Sequence, residues 1–180
     1  KVANEYITKE LKNNNLGYTV TLGLPRLRSR ISKLYGEWYN IDLNPERVII
    51  TTGSSGGFIL SFATLFDAGD RVGIGSPGYP SYRQILKAQN LVPVDIETKL
   101  QNKYQPTSED IKKNNLNGVL VASPANPTGS MLDKSSLTKL IECSEEYNVS
   151  FISDEIYHGI EYDNKAVSAL ETVSYTHLTL

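Results

Sequence analysis

The chain has 180 residues, of which 39% are apolar and 21% charged, with 18 Lys and Arg against 20 Asp and Glu for a formal net charge of −2. That length suits a single domain able to bury about 70% of its unfolded surface, and the composition excludes a disordered or membrane-embedded chain. Cationic residues are spread along the chain, so no general attraction to nucleic acid or anionic lipid is expected. The most apolar window, Gly57 to Phe66, includes Ser61 and Thr64 and falls far short of the ~20 residues that cross a bilayer. No basic segment followed by an apolar one opens the chain, and Cys143 is the single cysteine, so no internal disulfide forms and a reducing, cytoplasmic setting is expected.

In chain order, "KVANEYITKELKNNN" reads as helix already in progress, with Ile7 and Leu11 four apart. "LPRLRSRISKLYGEWYN" reads as an amphipathic helix begun by Pro25, with Leu27, Ile31, Leu34 and Trp38 on one face and Arg26, Arg28, Arg30 and Lys33 on the others. "RVIITTGSSGGFILSFATLFDAGD" then gives strand, turn, buried helix and an Asp-Ala-Gly-Asp stop. Further strands are predicted at Val72 to Gly75, Leu91 to Ile96, Gly118 to Ala122 and Val149 to Ser153, with helices at Ser81 to Ala88, Ser108 to Lys113 and Asp133 to Tyr147. Thr107 with Asp110 three residues on is a capping-box pattern for the middle helix, and Cys143, spaced helically with Leu140 and Tyr147, reads as packing. Alternating strands and helices predict an α/β domain with a mostly parallel sheet covered on both faces.

Ligands of such sheets bind off the carboxyl ends of the strands. Four polar, turn-rich segments follow the strands there: "TTGSSGG", "SPGYPSY", "SPANPTG" and "SDEIYHG". The first, entering a helix, offers backbone N–H groups, the Ser54 and Ser55 hydroxyls and the positive end of a helix dipole to a phosphate, or is a Gly-rich turn without a ligand. Tyr79 could stack on a flat ring or merely anchor its loop. Asn126, before Pro127, where a cis bond is cheap, could aim its amide at a ring oxygen or bond its own turn.

Asp154 ends a buried strand, where desolvation costs several kcal/mol unless a cation compensates it. A protonated heteroaromatic nitrogen would do so, and Tyr157 could reach a second substituent of the same ring; the alternative is an Asp that caps the next helical turn. Glu155 and His158 suggest a metal, but the chain has only two His and no Cys/His spacing, which argues against zinc. No GxSxG elbow supports a Ser/His/Asp triad.

The four segments in this order resemble the class I/II aminotransferases of the fold-type I pyridoxal-phosphate superfamily, over nearly the whole chain but less than half of a complete member. "SPANPTG" and "SDEIYHG" at their separation carry most of the likeness. The resemblance implies the large domain of that fold, truncated at both ends, with pyridoxal 5′-phosphate as cofactor. It implies that Ser54, Ser55 and Gly56 cradle the phosphate, Tyr79 stacks on the pyridine, Asn126 and Tyr157 bond the 3′-oxygen, and Asp154 pairs with the pyridinium nitrogen. It matches Tyr18 to the tyrosine that members lend to the neighbouring subunit's phosphate site, hence a homodimer.

The family's Schiff-base lysine and its Arg for the substrate carboxylate lie further on than this sequence reaches. Lys165 is too close to Tyr157 and lacks flanking serines, so it is not assigned that role. Residues 1–172 are therefore read as part of a cofactor-binding domain, with 173–180 as a tail outside the pattern, artefactual or disordered. The expected parent is an enzyme moving an amino group between an amino acid and a 2-oxo acid, the 180 residues alone being inactive, with neither nucleic acid nor membrane as a partner. Decarboxylation or β-elimination would use the same cofactor, and a cofactor-sensing transcriptional regulator would need a helix-turn-helix module upstream.

Overall fold

The computed structural model describes residues 1–13, 18–172 and 178–179. Helices α1 (Val2–Asn13), α2 (Pro25–Tyr39) and α3 (Ser54–Leu65) precede an alternating run of β1 (Arg71–Ser76), α4 (Pro80–Ala88), β2 (Val92–Glu97), α5 (Ser108–Asn114), β3 (Gly118–Ala122), α6 (Lys134–Glu146) and β4 (Ser150–Asp154). Local chemistry sets most boundaries. Pro25 and Pro80 stand in the first turns of α2 and α4, Thr107 and Asp110 close a capping box on α5, and Asp133 accepts from Ser136 N at 2.9 Å to start α6. Asn40, in the left-handed region at φ 58°, ends α2.

The strands form one parallel sheet in the order β2-β1-β3-β4-β5, where β5 is the short Leu178–Thr179 pair. Alternate side chains go to opposite faces. Val119, Val121 and Phe151 pack under α5 and α6 with Ile111, Leu137, Leu140 and Ile141. Val72, Ile74, Leu120 and Ile152 pack under α3 and α4 with Phe58, Phe62, Tyr82 and Leu86. Both faces are therefore covered, as an all-parallel sheet requires. At Gly118 the sheet meets α3's end so closely that a Cβ would lie 2.2 Å from the Phe66 ring.

Three expectations need correction. The run around Val48 to Ile50 is no strand: Val48 is extended at φ −94°, ψ 124°, but the segment joins no ladder among the described residues, and Ile50 N–H donates instead to Leu22 O at 3.0 Å. On α2 the apolar stripe is only partly covered: Ile31 and Leu34 are half-buried, Leu27 and Trp38 are exposed, and the helix's one buried residue is Arg28, at 6% exposure. Its guanidinium donates to Val48 O and to Pro45 O, the latter also accepting from Val48 N–H at 3.1 Å. Helix α3 is buried along one face only, with Ile59 and Leu60 exposed. Cys143 is buried in the core of the α5/α6 face.

Of the segment set apart as a tail, 173–177 and 180 lie outside the described residues. Leu178 and Thr179 run parallel to β4, opposite Ile152 and Ser153.

Candidate functional site

The chain order of the sheet locates the site. From β1 the chain crosses outward to β2, then returns past β1 to β3 and on to β4, so the direction reverses between β1 and β3. A parallel sheet opens a crevice at such a reversal, off the strands' carboxyl ends. The Tyr79 loop follows β1, the Asn126 loop follows β3, and Asp154, opposite Ala122 in register, ends β4.

The pleat of β4 sends Ile152 and Asp154 toward the α3/α4 face. Asp154 is buried at 4% exposure, and its Oδ2 accepts from the Tyr82 hydroxyl at 2.5 Å while Oδ1 accepts from Ile156 N at 3.1 Å. Burial first, then the Asp154 charge, pushes Tyr82 far above its ordinary value of 10.0, so the phenol stays protonated and remains a donor. The Tyr82 ring meets Tyr79 edge-on at 5.4 Å and Phe58 of α3 at 5.2 Å. One aromatic chain thus links the Ser54 turn, the Tyr79 loop and Asp154. Tyr82 escaped the sequence reading, although its spacing of three from Tyr79, close to one helical turn, puts both rings on one side.

Asn126 Nδ2 donates to the Tyr157 hydroxyl at 3.4 Å, so these two polar groups meet across the β3 and β4 loops. The Asn126 loop is braced by Gln105, a buried amide that donates to Ala122 O at 3.1 Å and Ser130 O at 3.0 Å and that nothing in its local sequence marks. The peptide bonds before Pro77, Pro124 and Pro127 are cis. Ser54, Ser55 and Gly56 form the first turn of α3, whose N-cap Gly53, at φ 83°, supplies no side-chain acceptor to the turn's N–H groups. Tyr79 is partly exposed, and Tyr18 is fully exposed.

Two hollows border these groups. A cleft of about 420 Å³ is lined by Asn126, Met131, Tyr157 and Tyr162, and a groove of about 620 Å³ by Ser54, Tyr35, Leu60 and Ile156. Consecutive residues Ile156 and Tyr157 thus face different hollows, and Asp154 and Tyr79 line neither.

Glu155 turns to the other side of β4. Its Oε1 accepts from Ser153 Oγ at 3.0 Å, Ser168 Oγ at 3.2 Å and Ala169 N at 2.7 Å, while no hydrogen-bond donor among the described residues reaches Oε2. His158 Nδ1 stands 3.6 Å from that oxygen. Burial raises the Glu155 pKa above its ordinary 4.5, with His158 acting in the opposite direction. Among the described residues no group of three or more His, Cys, Asp and Glu is placed to hold a metal.

The sequence model of the family described as "Aminotransferase class I and II" matches residues 1–179. The chain belongs to the class I and II aminotransferases. It is 47% identical over 151 residues to the valine–pyruvate aminotransferase of Mycobacterium tuberculosis, covering 83% of this chain and 39% of that protein. It superposes on the crystal structure of an aminotransferase from Mycobacterium tuberculosis with a TM-score of 0.90 at 43% identity, covering 94% of this chain and 48% of the other. The alanine aminotransferase from Pyrococcus furiosus gives a TM-score of 0.87 at 30% identity, covering 95% and 44%. The chain therefore spans less than half the length of each of these relatives.

Pyridoxal phosphate is the cofactor of this aminotransferase family. The residues present suit it. Each Asp154 oxygen accepts one hydrogen bond, and a carboxylate has about four acceptor sites, so a cationic ring nitrogen can still be bound. The α3 N-terminus suits a phosphate, and the Asn126 and Tyr157 pair suits a ring oxygen.

Proposed function

We propose that the whole protein is a pyridoxal-phosphate-dependent aminotransferase that moves an amino group between an amino acid and a 2-oxo acid. The observation that carries this is the buried Asp154 carboxylate, held by the Tyr82 hydroxyl at the carboxyl end of β4. The relatives named above are aminotransferases, which favours amino transfer over decarboxylation or elimination.

Pyridoxal phosphate, when bound, supplies an electron sink for the bond broken at the substrate Cα. This chain's residues make that sink effective. Asp154 holds a proton on the ring nitrogen, each pKa unit of preference being worth about 1.4 kcal/mol. Tyr82, a permanent donor, fixes the carboxylate's direction. Asn126 Nδ2 and the Tyr157 hydroxyl donate to the 3′-oxygen, Tyr79 stacks on the ring, and Ser54, Ser55 and the Gly56 N–H hold the phosphate. None of these side chains is the nucleophile; the Schiff-base lysine is assigned to the rest of the protein and not to Lys165.

Residues 1–172 are proposed to form part of the cofactor-binding domain. The exposure of Tyr18 fits its loan to a neighbouring subunit in a homodimer. Cys143, a buried free thiol, fits a reducing, cytoplasmic setting. No described helix is long and apolar enough to cross a membrane.

The test is Asp154→Ala in the full-length protein. Turnover should fall about 10²–10³-fold, as when one preorganised electrostatic group is removed, while cofactor affinity falls less because the phosphate contacts remain. Unchanged turnover would refute the assignment.

A further inference from the structure

The His158 imidazole joins three separate elements, and the site described above makes no use of it. Its side chain is buried at 6% exposure. Nε2 lies 2.9 Å from the carbonyl of Ser123, the first residue of the Asn126 loop; a carbonyl only accepts, so Nε2 carries a proton and donates. Nδ1 lies 2.6 Å from the Tyr39 hydroxyl at the end of α2, and the two rings sit 5.7 Å apart. Burial, then the Glu155 charge, raises the Tyr39 pKa above 10.0, so this phenol also keeps its proton. Tyr157 immediately precedes His158 in the chain.

Resting on the cofactor-site reading above, we propose that His158 is a positioning residue: bonded to Ser123 O and the Tyr39 hydroxyl, it fixes the separation of the β3 and β4 loops and so holds Asn126 and Tyr157 together to receive the ring oxygen. The 3.4 Å bond between Asn126 and Tyr157 is too long to set that distance by itself. An apolar side chain of equal size would fill the space but leave two polar groups unpaired, and it would remove the imidazole beside Glu155 Oε2, which no donor among the described residues reaches. A Gln side chain would restore one donor and one acceptor. Packing alone predicts the reverse preference, since Phe resembles His in shape more than Gln does.

The test uses the full-length protein and pyridoxal phosphate titrations monitored by absorbance. His158→Phe should weaken cofactor binding about tenfold or more, the equivalent of one buried polar group left unpaired. His158→Gln should stay within about threefold of wild type, the remaining loss being a fraction of one hydrogen bond. Wild-type affinity in His158→Phe, or a His158→Gln defect as large as that of Phe, overturns the proposal. Should the Phe variant fail to fold, nitrogen-15 NMR of the wild-type imidazole decides: Nε2 protonated supports the clamp, and an Nδ1–H tautomer with bare Nε2 overturns it. Asp154→Ala in the same titrations and turnover assays separates the two readings. A defective Asp154→Ala beside a normal His158→Phe counts against the clamp alone, whereas an unaffected Asp154→Ala counts against the cofactor site itself.

Discussion

Asp154 and Glu155 are adjacent carboxylates with different surroundings, because the pleat at the end of β4 turns them to opposite sides. Asp154 has a permanent donor in Tyr82 and a backbone N–H, with lone pairs to spare; Glu155 has three donors on one oxygen and none among the described residues on the other. Burial raises Glu155 above 4.5 in the folded state, so its contribution to stability is full below pH 4.5 and is lost as pH rises through the folded value. Glu155→Gln keeps an acceptor for Ala169 N and removes that loss. Urea unfolding of both proteins across the acidic to neutral range should therefore show the variant gaining on wild type as pH rises, by about 1.4 kcal/mol per unit of upward shift. A stability difference independent of pH would contradict the buried, perturbed carboxylate. At this scale the sequence marked Asp154, Asn126 and Tyr157 as candidates, because a polar residue after an apolar β run is conspicuous. It did not reveal Tyr82 or Gln105, whose importance lies in partners 72 and 17 residues away.

Among the elements, the four main strands and the helices between them follow from side-chain period, Pro starts and the Thr107/Asp110 box, all local signals. The segment around Val48 shows where local signals end: β-branched residues favour an extended chain, but a strand also needs a neighbour's ladder. Helix α2 shows it again, since its period marks an apolar stripe while the buried position goes to Arg28, whose guanidinium donates to both the Pro45 and the Val48 carbonyl. Arg28→Met keeps much of the volume and loses those bonds. It should cost about 1–3 kcal/mol in chemical denaturation, the penalty for stranding the buried Val48 carbonyl, since Pro45 O keeps its bond from Val48 N–H; a cost under about 0.5 kcal/mol, typical of a surface change, would contradict the bridging role.

At the scale of the molecule, two cores on either face of one parallel sheet carry the loops to a common edge, and the reversal of strand order between β1 and β3 opens the place where they meet. This arrangement was legible from the alternation of strands and helices; the order of the strands was not, because register and crossover depend on contacts far apart in sequence. The Ser54 turn, the Tyr79 loop and Asp154 are then joined through the rings of Phe58 and Tyr82, so the proposed chemistry belongs to the assembled sheet and to no single motif. Nitrogen-15 NMR of pyridoxal phosphate labelled at the ring nitrogen, bound to the full-length protein and to its Asp154→Ala variant at neutral pH, examines the pairing directly. A protonated nitrogen in the wild type that loses its proton in the variant is the predicted result; the same protonation state in both would contradict the role of Asp154.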